Sequence, residues 1–211
     1  MATNEKLSRR QRERLQHRND ILATALKLFS ENGFHNVSMQ EIATEAEFAT
    51  GTLYNFFDSK EAMFNDLIKD CGKKIVDALG AILEGSDNEV ERLRRFFRCQ
   101  TDVFGEHGEF IRLYVAEFGR KGTGIRKDPD EDELGRVLDD KIEQLLRTGI
   151  RKGTFRNVDP AVTATAIHGT LQRLIFEAVG NSDRDQVKKV FSKAEELFVD
   201  GLLLSEGEKN E

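Results

Sequence analysis

Apolar residues recur at intervals of three and four positions along nearly all of this 211-residue chain. That spacing places them on one face of an α-helix. Ile21, Leu22, Ala25, Leu26 and Phe29 set the pattern in the first helix, and later segments repeat it. No segment shows a convincing period of two, which would mark a half-buried strand. The sequence therefore predicts an all-α protein of about nine helices.

Capping residues divide this pattern into separate helices. Asn32-Gly33 is predicted to end the first helix, because glycine is favoured just after a helix C-terminus. Ser38 and Glu41 have the spacing of a capping box, in which each side chain satisfies a backbone amide of the other residue. Residues 119–132 are rich in glycine and charge and predict a surface loop. Further helix starts are predicted at Ser86 with Glu89 as a second capping box, at Ser59, at Asp159-Pro160, and at Ser182 or Asp183.

The charge is distributed unevenly along the chain. The net charge is −6, but residues 1–18 hold six basic and two acidic residues, a local charge of +4, so the remainder carries −10. A basic arm on an acidic body indicates an anionic partner at one end only. The alternative is a solvated tail that keeps the protein in solution. The basic residues of the arm that are candidates for phosphate contact are Arg9, Arg10, Arg12 and Arg14.

Several functional classes find no support in the sequence. No apolar run approaches the ~20 residues of a membrane span, and the first residues lack a signal peptide, which predicts a cytoplasmic location. Cys71 and Cys99 are single residues in helical patterns and are interpreted as reduced thiols. The four histidines show no metal-binding spacing, and "GRKGTG" at 119–124 lacks the Lys-Ser/Thr of a phosphate loop. We expect no enzyme activity, no metal and no cofactor.

The segment "TGTLYNFF", residues 50–57, has the composition of a strand because it is rich in threonine and aromatic residues. In an all-α chain such a strand would have no sheet partner, and unpaired backbone groups are costly. A short helix anchored by Leu53 and Phe57 is the better interpretation. A short helix, a turn at 47–49 and a second short helix form a helix-turn-helix, whose second helix enters the major groove of DNA.

Three motifs in this region resemble the TetR/AcrR family of bacterial transcriptional regulators. They are A-x-x-L-F-x-x-x-G-F from Ala25, S-M-Q-E-I-A-x-x-A from Ser38, and G-T-L-Y-x-x-F-x-S-K-E from Gly51, and the similarity covers residues 17–64. The resemblance implies a three-helix DNA-binding domain followed by a helical-bundle domain that binds a ligand and dimerises. Residues 65–211 match the family in architecture only.

The resemblance also implies DNA contacts. Thr50, Gly51 and Tyr54 are expected nearest the base edges, and Asn55 near bases or phosphates. Alternatives stay open for three residues: Tyr54 as a half-buried aromatic, Phe56 as packing on the next helix, and Lys60 as a solvated helix start. Phosphate contacts are expected from Ser38, Gln40, Thr52, Phe56, Lys60 and the basic arm. In the family, the helix that Ser38 would open begins near a phosphate.

Two residues depart from the family pattern. Glu47 stands where the family usually has glycine in the turn. Two conformations stay open: a positive φ at Glu47, which would cost a glutamate about 1 kcal/mol, or a different turn. Ala49 stands where a serine-like cap is common, and loss of a cap costs about 1 kcal/mol. The motif at 38–57 also holds Glu41, Glu45 and Glu47 but no lysine or arginine.

The remaining two-thirds of the chain is expected to bind a ligand and a second copy. An apolar pocket for a hydrophobic or aromatic small molecule is one interpretation of the many phenylalanines, and plain core is the other. The last two helices carry small residues that allow close helix approach, either to a second copy or within the chain. The candidate ligand residues are Phe96, Phe97, Gln100, Phe104, His107, Phe110, Leu113, Tyr114, Glu117, Phe118 and His168. The candidate dimer residues are Ala164, Ile167, Gly169, Leu171, Leu174, Ile175, Val190, Phe191, Ala194, Leu197 and Phe198.

The sequence thus predicts a ligand-responsive, homodimeric DNA-binding regulator. Repression is the family default, with release from a palindromic operator when the effector binds. The alternative is an all-α small-molecule-binding protein or enzyme without DNA-binding activity. The predicted divisions are a basic arm (1–16), a helix-turn-helix domain (17–65), a ligand-binding and dimerisation domain (66–205) and a frayed tail (206–211).

Overall fold

The computed structural model describes residues 8–118, 129–179 and 183–204, with Phe104 and residues 129–134 described in their backbone only. An isolated bridge between Phe155 and Leu203 is the one β-contact in this part of the chain. The all-α prediction is therefore confirmed. The α-helices are α1 (Arg9–Asn32), α2 (Met39–Glu45), α3 (Thr50–Tyr54), α4 (Lys60–Leu83), α5 (Glu89–Arg98), α6 (Gln100–Glu106), α7 (Gly108–Phe118), α8 (Pro129–Arg151), α9 (Pro160–Ala178) and α10 (Arg184–Glu195).

Helices α1, α2 and α3 pack around one apolar core at the N-terminal end of the molecule. Ile21, Ala25 and Phe29 of α1 meet Ile42 of α2 and Leu53 of α3, and all five are buried. Helix α7 packs on α1 and adds its own buried residues to this core. Because α7 belongs to the C-terminal part of the sequence, the three-helix head is joined to the body by side-chain packing as well as by the chain.

Helix α4 belongs to two cores. Its first half places Phe64, Leu67 and Ile68 in the core of the head, and its second half places Leu79 and Leu83 in a second core. The second core is formed with α5, α8, α9 and α10. Helix α4 is therefore one rigid element that starts beside α3 and ends deep in the body.

A buried carboxylate fixes α10 to α5. Glu195 of α10 accepts hydrogen bonds from Arg94 at 3.0 Å and from Arg98 at 2.8 and 2.9 Å. Burial alone would raise the pKa of Glu195, but the hydrogen bonds from Arg98 and Arg94 lower it overall. After Glu195 the backbone widens into a π-helical turn, Glu196–Asp200, where the sequence predicts an uninterrupted α-helix.

Most predicted helix starts are confirmed. Ser38 and Glu41 form the capping box, Ser59 caps α4, and Asp159 and Asp183 cap α9 and α10. The capping box at Ser86 and Glu89 is wrong. Asn88 caps α5 by accepting from the Glu91 amide at 2.9 Å, while the Glu89 carboxylate is buried and bonded to Lys152 at 2.6 Å.

Two predicted boundaries also differ. Apolar periodicity predicts one helix from Val90 to Phe104, but the structure divides this segment at Cys99 into α5 and α6. Helix α8 begins at Pro129, inside the predicted loop 119–132, because proline is well suited to the first helical position. Residues 119–128 and the predicted tail 206–211 lie outside the described residues.

Candidate nucleic-acid interface and apolar cavity

Helix α3 has only five residues, too few to be stable as an isolated helix. Two apolar side chains hold it on the head. Leu53 is 0% exposed and Phe57, just after the helix, is 3% exposed. Burying two such side chains contributes about 2 kcal/mol each. Tertiary packing therefore decides the conformation that composition alone would assign to a strand.

The turn before α3 has the backbone that favours glycine. Glu47 has φ = 60° and is the one non-glycine residue with a positive φ in the described part of the chain. The Phe48 amide donates to the Ala43 carbonyl at 2.9 Å and the Glu47 amide to Thr44 at 3.2 Å, which is the Schellman arrangement at a helix end. Of the two conformations that the sequence left open, the turn has the one with a positive φ at Glu47. Ala49 precedes α3 without any side-chain cap.

The outer face of α3 presents polar and small groups. Gly51, Tyr54 and Asn55 are exposed, Tyr54 by 52%, whereas Thr50 and Thr52 are half-buried. A Cβ added to Gly51 would meet nothing within 4 Å. Packing inside this chain therefore does not require a glycine at that position, although glycine costs helix stability there.

The start of α2 is already saturated by its own capping box. The Ser38 hydroxyl donates to the Glu41 carboxylate at 2.7 Å and accepts from the Glu41 amide at 3.2 Å, and the Ser38 amide donates to the same carboxylate at 2.7 Å. Hydrogen bonds from the Ser38 side chain and backbone lower the pKa of Glu41. A phosphate contact by Ser38 would have to displace Glu41, whereas the neighbouring Gln40 is exposed.

Several basic side chains near the head are held by the protein itself. Lys60 donates to the carbonyl oxygens of Phe34 at 3.0 Å and Val37 at 2.9 Å, and its ammonium lies 4.5 Å from the centre of the Phe34 ring. Lys27 pairs with Glu45 at 3.0 Å. The structure thus gives Lys60 a structural role that the sequence did not reveal, because its partners are backbone carbonyls distant in sequence.

The basic arm is part of α1 from Arg9 onward, since Ser8 caps that helix. Arg14 lies beside the end of α3: it donates to the Asn55 carbonyl at 3.4 Å and its guanidinium is 5.5 Å from the centre of the half-buried Phe56 ring. Arg9 pairs with Glu13 at 2.8 Å, and Arg10 and Arg12 are exposed on the same helix. Positive charge therefore adjoins α3 through the α1 helix.

A cavity of about 180 Å³ lies in the body, between the two cores. Helix α4 forms one wall, and α5, α6, α7, α8 and α9 supply the others. Five of the residues predicted to bind a ligand line it: Phe96, Gln100, Phe110, Tyr114 and His168. The side chain of Phe104 lies outside the described residues.

The other predicted ligand residues do not reach this cavity. Phe97 is buried in the second core, where it stacks on Phe198 at 5.9 Å, and Leu113 is buried in the first. His107 ends α6, and the Glu117 carboxylate lies 3.9 Å from His35. Phe118 packs between Tyr114 and Phe64. None of these five residues is among those that line the cavity.

The sequence interpretation missed the largest contributors to the cavity wall. Ile68, Gly72, Ile75, Val76 and Leu79 fall on one stripe of α4 and line it, as do Leu171, Gln172, Ile175 and Phe176 of α9. The apolar periodicity of α4 indicates a buried face but does not show whether core or a cavity lies against it. Gly72 in that stripe was the available signal, since a residue without a side chain leaves space beside its neighbours.

Several predicted dimer residues are buried within the single chain. Ala164, Ile167 and Leu171 of α9 and Phe191 and Ala194 of α10 form the second core, so their assignment to a dimer interface is corrected. Leu174, Ile175 and Phe198 are half-buried against the same core. The exposed residues of the predicted set are Gly169, Val190 and Leu197.

Comparison with known proteins identifies both parts of the chain. Residues 21–67 match the family model for bacterial regulatory proteins of the tetR family, and residues 86–195 match the model for a tetracyclin repressor-like C-terminal domain. The transcriptional regulator UidR of Escherichia coli (strain K12) is 42% identical over 188 residues, which span 88% of this chain and 92% of UidR. The transcriptional repressor KstR2 of Mycobacterium tuberculosis is 27% identical over 139 residues, 66% of this chain and 69% of KstR2.

Solved structures share the fold. A TetR-family transcriptional regulator from Pectobacterium atrosepticum superposes with a TM-score of 0.71 at 25% identity, covering 94% of this chain and 99% of its own. FadR of Bacillus subtilis, in complex with stearoyl-CoA, gives 0.72 at 19% identity over 87% of this chain and 98% of its own. The chain belongs to the TetR family of bacterial regulatory proteins and is a ligand-responsive, DNA-binding transcriptional repressor.

Proposed function

We propose that this protein represses transcription as a homodimer that reads a palindromic operator through α3 and is released by a small hydrophobic or aromatic effector in the cavity. The residues proposed to meet DNA are Thr50, Gly51, Thr52, Tyr54, Asn55 and Phe56 at α3, Gln40 at α2, and Arg9, Arg10, Arg12 and Arg14 on α1. Ser38 and Lys60 are proposed to support this surface from within, since their polar atoms bond to Glu41 and to backbone carbonyls.

The observation that carries the proposal is Gly51. It is exposed on α3 with open space around its Cα, so the absence of a side chain serves no contact in this chain. Close approach of a DNA groove to the backbone of α3 would explain the glycine, because even a methyl group would separate the DNA from the helix.

Thermal stability and operator affinity, measured on the same variant, test the role of Gly51. Gly51→Ala is expected to retain or slightly raise thermal stability, by up to about 1 kcal/mol, while it weakens operator binding about tenfold or more. The operator is first selected from genomic DNA fragments, and affinity is then measured by fluorescence anisotropy. Gly105→Ala serves as the control, because Gly105 of α6 also has nothing within 4 Å of an added Cβ but lies outside α3. Unchanged operator affinity in Gly51→Ala would contradict the proposal.

Dimerisation is supported by an exposed stripe on the last two helices. Val162 is 67% exposed and Leu197 71%, with Val190 at 39%, and Ala166 and Gly169 follow Val162 on the same face of α9. Exposed apolar residues grouped with small ones suit a helix-on-helix contact. A second copy also supplies the second recognition helix that a palindromic site requires. Light scattering tests this: a mass near the 24.0 kDa of one chain at micromolar concentration would contradict it.

The effector site is supported by the position of the cavity beside α4. A ligand there would contact Ile68, Ile75 and Leu79 of α4, the helix that leads directly to α3 through Ser59. If the ligand favours one position of α4, it shifts the population toward a spacing of the two recognition helices that no longer fits the operator.

We propose that the protein acts in the cytoplasm, where it meets the bacterial chromosome. None of its described helices is both long enough and apolar enough to span a membrane. We propose no catalytic role, since the relatives are regulators. An all-α binding protein without DNA activity is disfavoured by the match over residues 21–67.

A further inference from the structure

We propose that the effector is a small, uncharged molecule built on a single ring and carrying a hydroxyl group that bonds to His168. This inference rests on the proposed effector site and names the class of ligand that the site accepts. Three properties of the cavity carry it: its volume, the absence of charge on its described wall, and the hydrogen bonds of the His168 side chain.

The volume of the cavity suits one substituted ring. The cavity holds about 180 Å³, and an apolar protein cavity of about 150 Å³ accommodates benzene. Aromatic and aliphatic side chains, including Phe96, Phe110 and Ile75, line most of it. A ring with one or two small substituents fills that space.

The described wall carries no group that would receive a charged ligand. None of the described residues that line the cavity is lysine, arginine, aspartate or glutamate. Moving an ionised carboxylate or phosphate into such surroundings without a partner costs several kcal/mol. Among the described residues, the wall therefore favours a neutral ligand.

His168 is the polar group that gives the cavity direction. Its Nδ1 lies 2.7 Å from the Asp139 carboxylate. Because a carboxylate accepts, Nδ1 carries the hydrogen and donates a hydrogen bond to Asp139. Nε2 has no hydrogen-bond partner within the described part of the chain. In the neutral ring Nε2 accepts a hydrogen bond, which matches a hydroxyl donor.

Gln100 and Gln172 complete the polar part of the wall with neutral groups. The Gln100 amide nitrogen donates to the Phe96 carbonyl at 2.8 Å in a buried position, which fixes the orientation of that side chain. A second oxygen or a ring heteroatom on the ligand would find a partner here, and no charge is required for either contact.

Isothermal titration of the full chain with three probes tests the class of ligand. The probes are 4-ethylphenol, ethylbenzene, which lacks only the hydroxyl, and benzoate, which has the same number of non-hydrogen atoms as the phenol. We expect 4-ethylphenol to bind about tenfold tighter than ethylbenzene, the value of one net hydrogen bond, and about a hundredfold tighter than benzoate.

Two variants locate the binding. His168→Phe keeps an aromatic ring and is expected to lose the preference for 4-ethylphenol over ethylbenzene. Val76→Phe places extra volume in the cavity from α4 and is expected to weaken both neutral probes about tenfold or more. Circular dichroism and the melting temperature establish that each variant is folded, and a variant that fails this check is replaced by His168→Gln or Val76→Leu.

Four results would overturn the inference: benzoate binding as tightly as the phenol, ethylbenzene binding as tightly as the phenol, no binding of the phenol at millimolar concentration, or unchanged binding in Val76→Phe. Operator selection separates this from the proposed function. A protein that selects an operator but prefers benzoate refutes the ligand class alone. A protein that follows the expected order of probes but selects no DNA refutes the proposed function alone.

Discussion

Glu47 shows how a single backbone angle determines the position of α3. Its φ of 60° closes the end of α2 and directs the chain into α3. For a residue with a Cβ this conformation costs about 1 kcal/mol. The surrounding packing, in which Phe48 contacts the His17 ring at 5.2 Å, maintains it.

Relief of this strain is expected to stabilise the protein. Glu47→Gly should raise the free energy of unfolding by about 0.5 to 1 kcal/mol, the gain being reduced by the greater freedom of glycine in the unfolded chain. Urea denaturation measures the change. Glu47→Ala is the control, because it removes the same side chain but keeps the Cβ, so it should gain nothing. Equal stabilisation by both variants would assign the effect to the glutamate side chain rather than to the backbone.

Cys99 is a half-buried thiol whose ionisation is suppressed. Burial in apolar surroundings, with a smaller effect of Asp102, raises the pKa of Cys99 from 9.0 to about 12. The thiolate is the reactive form. In a Cys71→Ser background, native protein at pH 8 should react with iodoacetamide roughly a hundredfold to a thousandfold more slowly than unfolded protein, a ratio measured by mass spectrometry over time.

The raised pKa of Cys99 also makes the stability of the protein depend on pH. Between pH 9 and about 12 the unfolded thiol loses its proton while the folded one keeps it, so this group contributes less stability as the pH rises through that window. The native labelling rate should rise about tenfold per pH unit from pH 8 to 11. Native labelling at pH 8 as fast as in the denatured protein would contradict the assigned pKa.

At the scale of elements, close packing opposes helix propensity near the end of α8. Gly149 lies within this helix, and a Cβ added there would lie 2.2 Å from the ring of Phe155, which is 1% exposed. The Phe155 amide also donates to the Gly149 carbonyl at 3.2 Å. The chain therefore folds back directly over the glycine.

Gly149→Ala is expected to destabilise the protein by about 1 to 3 kcal/mol, because overpacking exceeds the gain of up to about 1 kcal/mol in helix propensity. Thermal or urea unfolding measures the change. Gly105→Ala, in open space on α6, is the control and should be neutral or stabilising. If Gly149→Ala were as stable as the parent, the contact between α8 and Phe155 would be looser than described.

Across the whole molecule, a chain of aromatic rings leads from the cavity to the head. Tyr114 lines the cavity and lies 4.9 Å from Phe118, which is 6.3 Å from Phe64, and Phe64 is 4.6 Å from Phe34. Lys60 then bridges Phe34 to the Val37 carbonyl just before α2. We call these four rings the aromatic path. Contiguous packing of this kind is able to transmit a displacement of the cavity wall.

If the aromatic path carries the response, Phe118→Ala should reduce it. We expect the ratio of operator affinities without and with 4-ethylphenol to shrink about fivefold, the size of a typical coupling change. Affinity for the ligand alone, measured by titration, should change much less, because Phe118 does not line the cavity.

Phe198→Ala is the matched control for this experiment. Phe198 is a half-buried aromatic residue of the second core, stacked on Phe97 and away from the aromatic path. Both variants remove a comparable apolar area, so a general loss of stability affects them alike. An equal loss of the response in both would attribute it to stability, and an undiminished response in Phe118→Ala would exclude the aromatic path.

The sequence by itself determined the features that depend on local interactions. The helical class follows from periodicity, and the caps at Ser38, Ser59 and Asp159 follow from short-range hydrogen bonds. Each of these features is decided within a few residues, so one sequence is enough to predict it.

The tertiary structure alone decided which side chains are available. Ala164 and Phe191 are core residues of one chain, and Lys60 donates hydrogen bonds to the carbonyl oxygens of Phe34 and Val37. Helices α4 and α9 supply most of the cavity wall, whereas the abundance of phenylalanine predicts a pocket lined mainly by other helices. An apolar helix face has the same sequence pattern whether it meets its own chain, a partner or a ligand. The physical difference lies in what packs against that face, and only the folded chain brings those distant residues together.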